Sequence, residues 1–197
     1  MKRFSIKSLL AVVVLVSLVL AIINYQGNRQ SRIVSLLESQ FGDRIEIFYD
    51  YNYATDDVDR FAEASASEEA SFGSKANRAE VAFTTAVDLL KLQSLDLEFL
   101  TLWDSQTDDL SPLLEMKKLK VLVLYQGAAW DLSPLSNHPS LKELLIIAPV
   151  DGNADSGVTL TEAWLLLEKR PDLKIVRQDG DRLFRFRPRP HKTNKED

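Results

Sequence analysis

The chain has 197 residues and carries 24 Lys+Arg against 29 Asp+Glu, a net charge of −5. That is room for one ordinary domain with appendages, and the acidic balance argues against a general nucleic-acid binder, which needs a positive excess. Cysteine is absent, which excludes disulfides, thiolate metal sites and Cys nucleophiles, and the two histidines, His138 and His191, leave little for His-based catalysis or zinc.

The N-terminus carries a membrane signal. Lys2, Arg3 and Lys7 precede an uncharged stretch over 8–25 whose apolar core is 9–23. At ~1.5 Å per residue that core covers ~22 Å of the ~30 Å hydrocarbon layer, and Ile6 and Tyr25 extend it. Positive charges ahead of the apolar run place the N-terminus in the cytoplasm and the remaining chain on the other side. A cleaved signal peptide, cut after Val19-Leu20-Ala21, is the alternative.

Residues 28–41 read as an amphipathic helix, with Ile33, Leu36, Leu37 and Phe41 on one face and Gly42 as its stop. In 44–51, Ile45, Ile47, Tyr49 and Tyr51 alternate as a strand requires. Composition then shifts: 50–69 holds seven acidic residues against Arg60 alone. With so little to bury, this stretch is expected to be a mobile surface loop.

Leucine is the outlier, with 31 residues of which 23 fall in 89–173. Asp109-Leu110-Ser111-Pro112-Leu113 recurs as Asp131-Leu132-Ser133-Pro134-Leu135, a displacement of 22 residues. The same shift carries Leu97, Leu100 and Leu102 onto Leu119, Leu122 and Leu124, then onto Leu141, Leu144 and Ile146, and it maps Met116 onto His138. In each L-x-x-L-x-L the last two leucines alternate onto the inner face of a strand, and Ser-Pro opens a short helical or 3₁₀ return. One such unit cannot bury its apolar face alone, whereas stacked units can.

This pattern resembles the leucine-rich repeat family in its 22-residue form, over about 81–176. The resemblance implies an α/β fold: a short solenoid with a parallel sheet and helical or 3₁₀ returns, behind an N-terminal transmembrane helix. It also implies that the strand face turned away from the core binds partners. The family's turn asparagine is missing, because Ser105, Gly127 and Pro149 stand there. A ten-residue insertion lengthens the last unit. It is followed by a helix with the capping box Thr159-Leu160-Thr161-Glu162, a strand at 173–176, and a turn at Asp179-Gly180 into 182–187 as a closing hairpin. Upstream, 80–84 reads as a first strand and 86–92 as its return helix. The divisions are thus an anchor (1–25), a helix plus strand as N-terminal cap (26–51), an acidic loop (52–79), the repeat domain (80–178) and a hairpin with a basic tail (179–197).

Three candidate sites follow. Asp151, Asn153, Asp155 and Glu162 hold positions 1, 3, 5 and 12 of an EF-hand-like calcium loop, although Ser156 replaces the required glycine and the capping box already explains Glu162. An ordinary polar turn is the competing reading. On the strand face away from the core, Phe99, Thr101 and Trp103 lie beside Val121, Val123 and Tyr125 and then Leu145, an apolar and aromatic surface suited to a protein partner. The rival is that the acidic loop or the N-terminal helix covers it. The tail carries Arg182, Arg185, Arg187, Arg189, Lys192 and Lys195 against Glu196 and Asp197. It suits phosphates, anionic lipid or an acidic partner, or is simply solvated. Carboxylate pairs such as Asp108-Asp109 and Asp56-Asp57 lack the partner groups that acid–base chemistry needs. The expectation is a non-catalytic, single-pass membrane protein without cofactor that engages a protein partner outside the cytoplasm; a surface module with a calcium-stabilised loop at 151–162 is the alternative.

Overall fold

A long helix leads into a sheet whose strands follow one another in chain order. The computed structural model describes residues 6–50, 75–82, 84–103, 107–125, 130–148, 158–180 and 182–188, with the side chains of 10, 12–21, 25 and 29–41 in the first helix. That helix, α1 (Ile6–Phe41), is a single element of 36 residues. The anchor and the amphipathic helix expected as separate pieces are therefore joined. Their junction contains one glycine, Gly27, and no proline, and one glycine costs a helix only ~1 kcal/mol. At the far end Val34, Leu37 and Phe41 are buried, whereas Leu36, expected on that face, is exposed. Gly42, at φ +56°, ends the helix. Nearer the start, the large apolar side chains between Leu10 and Leu20 are 46–65% exposed. Among the described residues no helix is long and apolar enough to cross a membrane.

The sheet has seven strands: β1 (Ile45–Tyr49), β2 (Ala76–Ala82), β3 (Phe99–Trp103), β4 (Val121–Tyr125), β5 (Glu143–Ala148), β6 (Lys174–Asp179) and β7 (Arg182–Phe186). The pairs from β2 to β6 are parallel, and β1 and β7 close the two ends antiparallel. Leu100 stands opposite Leu122 and Leu122 opposite Leu144, which is the 22-residue shift expressed as strand register. The same column continues through Ile175 to Phe186 on one side and through Ala79 to Ile47 on the other. The acidic stretch lies outside the described residues up to 74. Its expected end at 79 is corrected, because β2 already runs from Ala76, held between β1 and β3. Between Phe48 and Tyr49 the pairing slips by one residue of β2, a bulge at Asn77.

The parallel crossovers return behind the sheet through two helices and two 3₁₀ turns. α2 (Ala86–Leu92) starts on Thr85, whose Oγ1 accepts from the Asp88 amide at 3.3 Å while the Asp88 carboxylate accepts from the Thr85 amide at 3.1 Å. The two Asp-Leu-Ser-Pro-Leu segments open 3₁₀ turns at Ser111–Glu115 and Ser133–Asn137. In both, the aspartate Oδ1 accepts the serine amide at 2.8 Å. The segments also pair in parallel at Asp109 and Asp131. α3 (Leu160–Lys169) has the expected capping box, with the Thr159 amide donating to Glu162 Oε2 at 2.7 Å. Between sheet and returns lies one apolar core that includes Leu89, Leu113, Leu135, Ala163 and Leu167, together with Trp130. The fold is mixed α/β. Ser105, Gly127 and Pro149, the positions of the missing asparagines, lie outside the described residues.

Candidate interaction face

Alternation along the strands turns Phe99, Thr101 and Trp103 of β3, Val121, Val123 and Tyr125 of β4, and Leu145 of β5 away from the main core. The structure brings all seven onto one face, in three rows set by the register. Most of this face is closed to solvent. Val121 is 0% exposed, and Phe99, Thr101, Val123 and Leu145 are buried with it. They form a second apolar cluster with Val176, and Tyr125 and Ile147 pack against its border. Along each row, strands ~4.8 Å apart bring β-branched and aromatic side chains into contact. Parallel sheets are characteristically apolar on both faces.

Charged side chains bound the cluster. The Arg78 guanidinium lies 4.8 Å from the ring centroids of both Phe48 and Phe99 and is ion-paired to Glu80. Opposite, Lys174 Nζ meets Glu143 at 2.9 Å. At the strand entrances Glu98 accepts Lys75 at 2.8 Å and Lys120 at 2.6 Å. Burial pushes the Glu98 carboxyl up, but the two lysine hydrogen bonds outweigh it and hold the group below the usual carboxylate range.

The face opens at the exits of β3 and β4. There Trp103 and Tyr125, one repeat apart, stack with ring centroids 3.5 Å apart and planes inclined by 17°. Trp103 is 36% exposed and Tyr125 half-buried. Burial and the neighbouring Glu80 raise the Tyr125 phenol above its ordinary value, against the opposing pull of Arg78. This stack is the part of the expected surface that solvent reaches.

The other candidates fare differently. Asp151, Asn153 and Asp155 lie outside the described residues. Glu162 is engaged in the capping box through Oε2, which also accepts the Thr159 hydroxyl at 2.9 Å. Among the described residues no group of three or more His, Asp or Glu side chains could hold a metal ion. Arg182, Arg185 and Arg187 are exposed on or just beyond β7, and 189–197 lies outside the described residues. Asp109 is a turn residue whose carboxyl is held low by the Ser111 hydrogen bonds. Asp56 and Asp57 lie outside the described residues.

Sequence reasoning passed over His138 as a site. It is 2% exposed and hydrogen-bonded at both ring nitrogens. The available signal was its place in the repeat, where the first unit has Met116, an apolar residue that is also buried. No family model, curated protein or solved structure matches this chain.

Proposed function

We propose that this chain is a non-catalytic leucine-rich repeat protein, anchored in a membrane by the start of α1, that binds a protein partner outside the cytoplasm through the Trp103–Tyr125 end of its sheet. One observation carries the reading: a stacked aromatic pair, generated by the repeat spacing, reaches solvent at the exits of two adjacent parallel strands. Stacked rings are large and rigid, and aromatic anchors dominate binding energy where a partner desolvates them. The anchoring part is supported by exposed apolar side chains on every side of α1 between Leu10 and Leu20, a surface unsuited to water. Lys2, Arg3 and Lys7 supply the orientation.

The test replaces Trp103 with a photo-crosslinking residue in the full-length chain, in membranes. We expect one dominant protein adduct, lost when Tyr125→Ala removes the stacking neighbour and unchanged by a crosslinker at the exposed Val87 of α2. Equal labelling at Trp103 and Val87 would remove the interaction reading. Extraction of the chain by alkaline carbonate would remove the anchor.

A further inference from the structure

His138 is fully engaged in a way that only one protonation state allows. Its Nδ1 faces two backbone amides, Leu141 N at 3.0 Å and Ser140 N at 3.3 Å. An amide N–H donates, so Nδ1 accepts with its lone pair. The ring proton therefore sits on Nε2, which lies 3.0 Å from the Leu113 carbonyl and donates to it. Arg170, the residue that ends α3, completes the assembly. Its Nη1 donates to the His138 carbonyl at 2.8 Å and its Nη2 to the Leu141 carbonyl at 3.0 Å. Asp172 holds the same guanidinium at 2.8 and 2.9 Å. One imidazole and one guanidinium thus tie together the Ser111–Glu115 turn, the entry to β5 and the C-terminal end of α3.

We propose that His138 is a proton-sensitive latch: a second proton, on Nδ1, converts the acceptor into a donor aimed at two N–H groups and releases residues 138–141 together with the Arg170 end of α3. The groups facing the ring offer the imidazolium little compensation. From the first 3₁₀ turn comes the Leu113 carbonyl, from the entry to β5 the two amides, and from α3 the positive Arg170, with Asp172 on its far side. Among the described residues no carboxylate pairs with the ring. Burial first and Arg170 second push the ring below its ordinary value, against the pull of the Leu113 carbonyl. With the folded value lower than the unfolded one, the latch is whole above about 6.5 and weakens as pH falls below it. This proposal is independent of the reading of partner and membrane.

The test uses the full chain in detergent micelles. Side-chain ¹H–¹⁵N correlation at pH 8 should show His138 as the Nε2–H tautomer, with His191→Ala removing the second histidine signal. Amide exchange, corrected for its intrinsic pH dependence, should then speed up at Ser140, Leu141 and 160–169 by up to ~10-fold per pH unit below ~6.5. β2 and β3 should keep their protection. In His138→Asn, a side-chain carbonyl can accept the same amides without titrating, so the acid-dependent opening should vanish. An Nδ1–H tautomer, flat protection at 140–141 down to pH 5, or simultaneous loss across the whole sheet would each overturn the latch. The tautomer and exchange readings use the native His138, so they decide the matter even if His138→Asn does not fold.

Discussion

The two faces of the sheet are both buried, but they are built from different residues under different constraints. On the core side, Leu100, Leu122 and Leu144 stand in one column with Ile175, and Leu102, Leu124 and Ile146 in the next. They reach across to the leucines of the returns, such as Leu110, Leu113, Leu132 and Leu135. On the other side Phe99, Val121, Val123, Leu145 and Val176 pack along the rows, held between the Arg78–Glu80 and Glu143–Lys174 ion pairs. Leucine's long branch suits a gap between layers, whereas β-branched and flat side chains suit neighbours on one pleated surface. Alternation along a strand assigns residues to faces. It does not say which face meets water.

The largest test strikes the core column. Leu122→Ala removes a fully buried side chain between Leu100 and Leu144 and should cost about 2–5 kcal/mol, read as a lower denaturation midpoint at unchanged slope. A loss under about 1 kcal/mol would mean that the register is wrong. The matching test on the opposite face is Val121→Ala. Two buried carbons at ~0.8 kcal/mol each, plus the cavity left behind, predict a loss of about 2 kcal/mol. If Val121→Ala proves neutral, that face is wet in solution and the two faces differ in burial as well as in composition.

Legibility followed the same division. The 22-residue displacement was visible because identical Asp-Leu-Ser-Pro-Leu segments solve the same problem twice: an aspartate accepts the serine amide and proline opens the 3₁₀ turn. The Thr159–Glu162 box and the closing hairpin were visible because each depends on local chemistry. β2 was misplaced because Ala76, Asn77 and Ala79 have little strand propensity of their own. Their conformation is imposed by β1 and β3 on either side. The box at Thr85 escaped because Asp88 stands where a longer Glu or Gln is the usual sign. The Trp103–Tyr125 contact followed from repeat spacing, but the closure of the surface around it depends on long-range packing that spacing does not encode. His138 was hidden because its partners are backbone atoms, two of them supplied by residues just after it and one by the preceding turn.

A smaller effect tests whether the returns are specified as locally as that account requires. Thr159→Ala removes the hydroxyl that accepts the Glu162 amide at 3.2 Å and should cost ~1 kcal/mol. The loss should appear as faster amide exchange over the first turn of α3, with little change in β3 or β4. Thr159→Ser keeps the hydroxyl and should recover most of the difference. If both substitutions weaken β3 and β4 as strongly as α3, the return is not a local unit.

The smallest effect probes the charged border of the sheet. Glu98 is hydrogen-bonded to lysines from two neighbouring segments, both more than a third exposed, so each pair is worth only ~0.2–1 kcal/mol. Glu98→Gln should therefore lower stability by about 1 kcal/mol at pH 7 and low salt. The sign with pH is fixed by the direction of the shift. A carboxyl held low in the folded chain contributes fully above its unfolded value, and that contribution is lost as pH falls through the folded one. The difference between wild type and Glu98→Gln should accordingly begin to shrink once pH falls below the unfolded carboxylate value of about 4.3 and go on shrinking as pH falls through the lower folded one. It should shrink also at 1 M salt, where screening reaches within ~3 Å. A difference that persists undiminished at 1 M salt would show that packing of the Glu98 stem, and not its charge, holds the border. The two sheet faces would then differ in shape alone.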